Sequence, residues 1–112
     1  MGYLALLKLR ESQKMNLRKE ALREAERLSS LLKEKFEYET LYLIGSVLKG
    51  RSFRLHSDID LVIKGLKTDS FFKAFAFLIK NSPFPIDLKP REELDAESKA
   101  RVAEEGRILF EK

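Results

Sequence analysis

Apolar residues recur at steps of three and four along the first third of the chain: Leu17, Ala21, Ala25, Leu28, Leu32 and Phe36 form one stripe. Lys, Arg and Glu fill most of the positions around it, and no Pro or Gly occurs from Tyr3 to Lys35, so the pattern predicts a helix over that span that lays its stripe on a sheet. The opening Tyr3, Leu4, Leu6, Leu7 and Leu9 extends further than a small sheet can cover, which leaves either a frayed extension or a surface for a second subunit. The period then shortens to two. Thr40–Ile44 is a β-rich run halted by Gly45-Ser46, and Ile59–Ile63 is a second such run, entered through Ser57-Asp58; a short helix and a basic loop separate them.

After a turn at Lys64–Lys67, Thr68 or Asp69 is the expected N-cap of a helix over Ser70–Asn81. Its Phe71, Phe72, Phe75, Phe77, Leu78 and Ile79 read as core. Pro85 opens a strand, Ile86–Lys89, that Pro90 stops. Asp95 can cap a helix over Ala96–Glu105, Gly106 suits the C′ position, and Arg107–Phe110 reads as a closing strand. The element order is α-β-α-β-α-β-α-β, which places the chain in the α/β (α+β) class.

Length and composition narrow the picture. The chain of 112 residues is enough for one domain and too short for two. We expect a single unit over 1–112, with 1–36 as its helical lead and 37–112 as its core. The absence of Cys excludes a disulfide framework and thiolate metal sites. With no signal peptide and no long apolar span, the expected address is cytoplasmic, away from membranes. The net charge of +4 is modest, and no recognition motif supports a nucleic-acid binder. Its placement says more, because Lys49, Arg51 and Arg54, with His56 nearby, form a basic loop with no acid between Ser46 and Asp58. Such a loop suits a triphosphate; taken one by one, its side chains read equally well as solvated.

The chemistry gathers at the joints of the first two strands. Residues i and i+2 of a strand share a face, so Asp58 and Asp60 point together while Ile59, Leu61 and Ile63 point into the core. Two carboxylates that close repel by about 4 kcal/mol at an effective dielectric of about 20, and a hard cation such as Mg²⁺ would relieve them. Gly45 permits close backbone approach, and the start of the following helix offers N–H groups to an anion. Asp87, between Ile86 and Leu88, reads by itself as the exposed face of an edge strand.

Together, Gly45-Ser46, then Gly50, then Ser57-Asp58-Ile59-Asp60-Leu61, resemble the signature of the nucleotidyltransferase superfamily that includes DNA polymerase beta. In particular the chain is similar to the minimal nucleotidyltransferases (MNT), small proteins often encoded beside a HEPN-domain toxin as its antitoxin. The resemblance runs from about Phe36 to the C-terminus. Lys49 stands where many relatives carry Arg, and the loop before Asp58 is slightly longer than in the smallest of them.

This resemblance implies a polymerase-beta-like fold, with a short mixed sheet of about four strands and helices mainly on one side. It also implies a third catalytic carboxylate, at Asp87 in Pro85-Ile86-Asp87-Leu88. Asp58, Asp60 and Asp87 are then the metal and catalytic residues, with two Mg²⁺ ions once nucleotide is bound. Gly45, Ser46, Lys49, Gly50, Arg51 and Ser57 are the nucleotide-binding residues. The implied reaction transfers a nucleoside monophosphate, AMP from ATP, to a hydroxyl on a partner, here a helical HEPN-type protein; a homo-oligomer is a further possibility. The alternative is a non-catalytic antitoxin that neutralises its partner by occlusion, although a module of that kind gains nothing from a repelling acidic cluster.

Overall fold

The computed structural model describes residues 2–45, 47–48 and 58–112, and for residues 3–15 the backbone alone. Helix α1 spans Tyr3–Lys35 and ends with Lys33 and Lys35 in its last turn, where positive charge complements the helix dipole. Strand β1 is Thr40–Ile44 and β2 is Ile59–Lys64. A 3₁₀ turn at Thr68–Ser70 leads into α2, Phe71–Lys80. Strand β3 is Ile86–Pro90; a second 3₁₀ turn, Arg91–Glu93, precedes α3, Ala96–Glu105, and β4 is Arg107–Glu111. The short helix expected after Gly45-Ser46 falls outside the described residues.

The sheet has the order β3-β2-β1-β4. β1 pairs antiparallel with both β2 and β4, and β2 pairs parallel with β3 across the α2 crossover, so the sheet is mixed. Ala21, Ala25, Leu28 and Leu32 of α1 are fully buried against Leu41, Leu43, Ile59, Leu61 and Ile63, joined by Ala74 and Leu78 of α2. The small alanines let α1 approach the sheet closely, and the packing falls on the stripe read from the sequence.

Helices lie mainly on one side, with α1 and α2 sharing a face; α3 covers the other, where Val62 and Val102 are buried apart from the main core and line a common cavity with Ile44. Two expectations need correcting. Phe72 and Ile79 are not core, being 80% and 55% exposed. The buried stripe of α2 runs through Phe71, Ala74, Phe75 and Leu78, and a residue one step off that stripe turns about 100° away from it. Neither Thr68 nor Asp69 caps α2, because a 3₁₀ turn intervenes and Ser70 takes the cap position without a side-chain bond. Asp95 does cap α3, accepting from Ser98 N at 2.7 Å. Gly106 follows α3 in extended conformation (φ −72°), so the glycine answers to crowding and not to handedness: a Cβ there would lie 2.5 Å from the Val102 carbonyl.

Glu24 clasps α1 to the end of α2. It accepts from Arg27 at 2.6 and 2.9 Å and from the Ser82 hydroxyl, while Arg27 also donates to the Asn81 carbonyl. The Arg27 guanidinium holds the Glu24 carboxyl below the usual carboxylate range, with Ser82 assisting and burial opposing. Glu24→Ala should cost about 1–2 kcal/mol in urea denaturation at neutral pH. A depressed folded pKa means that this contribution is present above the unfolded pKa and lost as pH falls through the folded one. The variant and the parent should therefore converge in strong acid.

Candidate active site

The C-terminal end of β1 and the beginnings of β2 and β3 meet at one edge of the sheet. Register does the placing: Ile44 is opposite Asp60, and Asp60 is beside Asp87. Alternation does the rest, since Ile59 and Leu61 are buried under α1 and α2 and Asp60 must face the other way, half-buried. Asp58 precedes the strand and is exposed.

Gly45 fits against this carboxylate. It turns the chain with φ +85°, a conformation that side chains rarely tolerate, and Leu48 N closes the turn on the Gly45 carbonyl at 3.1 Å. A Cβ built on Gly45 would collide with Asp60 Oδ2 and press on its Cγ at 3.2 Å. The turn and the carboxylate are thus in contact.

Among the described residues, the electrostatics are those of a crowded acidic site with Lys89 as its counterion. Burial raises the Asp60 pKa; Lys89 opposes this, and Asp87 and Asp58 add to it. Lys89 is ion-paired with Asp87, and that bond raises the lysine's own pKa. Lys89 was not singled out in the sequence, yet it stands two residues from Asp87 on the same strand and so on the same face. Among the described residues no three acidic or histidine side chains are gathered into a ready ligand set. The donors present are nevertheless all carboxylate oxygens, the chemistry a hard divalent cation takes, and a cation joining Asp87 would displace Lys89.

Arg18 is a second residue that sequence reasoning passed over. From α1 its Nε donates to the Val47 carbonyl at 2.7 Å and its Nη2 to the Leu48 carbonyl at 3.4 Å, pinning the turn that follows Gly45. The available signal was phase. Arg18 lies three and seven residues before Ala21 and Ala25, a charged residue in line with an apolar stripe.

Beside the carboxylates, beneath α3, the sheet's second face encloses a cavity of about 540 Å³ that begins at Gly45 and Lys89. Of the residues expected in the site, Gly45, Asp58, Asp60 and Asp87 are described and lie together. Ser46, Lys49, Gly50, Arg51 and Ser57 lie outside the described residues, as do Arg54 and His56.

The model of the nucleotidyltransferase domain matches residues 25–110, and the chain belongs to that family. Among solved structures it is similar to a toxin–antitoxin with AMP-PNP, at a TM-score of 0.64 and 21% identity over 78% of this chain and 73% of that one. It is also similar to the MntA-HepT toxin–antitoxin, with a TM-score of 0.59 and 19% identity over 81% and 72% of the two chains. A doubly substituted variant of such a pair matches with a TM-score of 0.63 and 18% identity over 77% and 71%. At these identities the likeness is one of fold. No curated protein matches the chain. Among the described residues, no helix is long and apolar enough to cross a membrane.

Proposed function

We propose that residues 1–112 act as one Mg²⁺-dependent nucleotidyltransferase that moves AMP from ATP to a hydroxyl on a helical, HEPN-type partner, as the antitoxin of a toxin–antitoxin pair. The observation that carries this reading is the placement of Asp60 against Gly45 with Asp87 beside it in register. Two fold neighbours support this reading: one is a toxin–antitoxin with AMP-PNP, and another carries substitutions of two aspartates two residues apart, the spacing of Asp58 and Asp60.

Asp58, Asp60 and Asp87 would hold the ions, and Mg²⁺ supplies charge neutralisation at the phosphates when bound. The protein's own groups do the positioning. The Gly45 turn, braced by Arg18, would offer backbone N–H groups to the phosphates. Asp87 accepts the proton of the attacking hydroxyl, which then attacks the α-phosphorus in line as pyrophosphate leaves. Lys89, freed from Asp87, remains beside the phosphates as a cation. No covalent enzyme intermediate is needed.

Incubating the protein with its helical partner, Mg²⁺ and ATP labelled on the α-phosphate should label the partner on a tyrosine, serine or threonine. Asp87→Ala should abolish the label while sparing much of the nucleotide affinity. A partner that binds tightly yet never takes label would establish neutralisation by occlusion instead.

A further inference from the structure

The cavity beneath α3 has a volume of about 540 Å³, well within the range of small-molecule sites. Its walls are apolar: Ile44 and Val62 from the sheet, Leu94 and Val102 from the α3 side, and Leu48 from the turn. The polar groups are Ser98, Arg101 and Glu105 from α3 and Lys89 from β3. One end is lined by Gly45 and Lys89, which touch Asp60 and Asp87 respectively. The cavity therefore lies next to the carboxylates.

We propose that this cavity holds the purine base of the nucleotide whose phosphates sit at the Gly45 turn, an inference that rests on the nucleotidyltransferase reading. Ile44 and Val62 of the sheet give one apolar wall and Leu94 and Val102 face them from the α3 side, which suits a flat ring. Phosphates fit the chamber poorly, because a polyanion loses its hydration against the apolar walls. A ring, by contrast, loses little on leaving water and can satisfy its edge at the Ser98 hydroxyl, the Arg101 guanidinium or the Glu105 carboxylate. Position agrees with chemistry. With the α-phosphate held at the carboxylates, the sugar lies over Gly45 and Lys89 and the base goes on into the chamber. Nucleotide recognition then falls to α3, an element that contributes no ligand to the metal.

The test separates the base from the phosphates. In calorimetry with Mg²⁺, Ser98→Trp should fill the chamber and weaken ATP by about tenfold or more, while leaving inorganic tripolyphosphate unchanged. Wild-type protein gives a second readout that needs no variant. Methyl signals of Val62 and Val102 should move on adding Mg²⁺ with ATP and stay in place with Mg²⁺ and tripolyphosphate. If ATP binds while those methyls stay in place and Ser98→Trp keeps full affinity, the base lies elsewhere and the proposal is overturned. Equal losses for ATP and tripolyphosphate would overturn it as well, by placing phosphates in the chamber. If the wild type binds neither ligand, the nucleotidyltransferase reading fails first and this inference falls with it.

Discussion

Alanine at position 45 should cost the fold about 2–3 kcal/mol and weaken Mg²⁺-dependent nucleotide binding by more than tenfold. Two effects add. A residue with a Cβ loses about 1–2 kcal/mol in the left-handed region that Gly45 occupies at φ +85°. The new methyl must also displace the Asp60 carboxylate, whose Cγ and Cβ would be at 3.2 and 3.3 Å, and Asp60 can yield only by rotating away from the acidic site. Urea denaturation and a nucleotide titration on one preparation check both halves. A Gly45→Ala protein that unfolds and binds like the parent would show that turn and carboxylate are not in contact.

The second large effect has opposite signs for activity and stability. Asp60→Asn should lower the transfer rate by about 10³-fold, the scale of losing a charge-stabilising group in a metal site. Without metal, the same change should leave stability unaltered or raise it by about 0.5–1 kcal/mol, the size of a partly exposed charge interaction. Asp60 is raised by burial and by its acidic neighbours, with Lys89 in opposition, so its ionised form is disfavoured in the folded protein. A carboxylate with a raised folded pKa binds its proton more tightly when folded. Metal-free stability should therefore fall as pH rises from the unfolded carboxylate range through the raised value, and Asp60→Asn should flatten that decline. Thermal unfolding in chelator, across the acid range, reads it directly. A loss of several kcal/mol in the metal-free variant would mark Asp60 as structural.

The elements were legible because their periods were clean. The α1 stripe, the strand alternation that separates Asp60 from Ile59 and Leu61, and the Asp95 cap all follow from spacing. The pairing of Asp87 with Asp60 was accessible only through the family resemblance, since nothing local in Ile86-Asp87-Leu88 fixes which strand lies beside it. What escaped was tertiary. Six large apolar residues crowd α2, but a helix buries one stripe, and Phe72 and Ile79 fall outside it. The place of α3 on the second face hangs on Val62 and Val102, single apolar residues too sparse to make a pattern. Arg18 and Lys89 looked like ordinary surface charge until the fold brought one to the Gly45 turn and the other to Asp87.

Phe72 and Ile79 leave part of α2 apolar and open, and α1 runs about 50 Å if its 33 residues rise regularly. These are surfaces a partner can cover without touching the carboxylates. A partner anchored on these surfaces must still extend its acceptor hydroxyl to Asp87, on the face of the sheet that carries the carboxylates.

The most direct measurement is a crystal structure with Mg²⁺ and a non-hydrolysable ATP analogue. The account expects Mg²⁺ on Asp58, Asp60 and Asp87 at about 2.1 Å, the phosphates on the Gly45 turn, and Lys89 released from Asp87. A nucleotide bound away from these carboxylates, with the Lys89–Asp87 pair intact and no metal between Asp60 and Asp87, would contradict it.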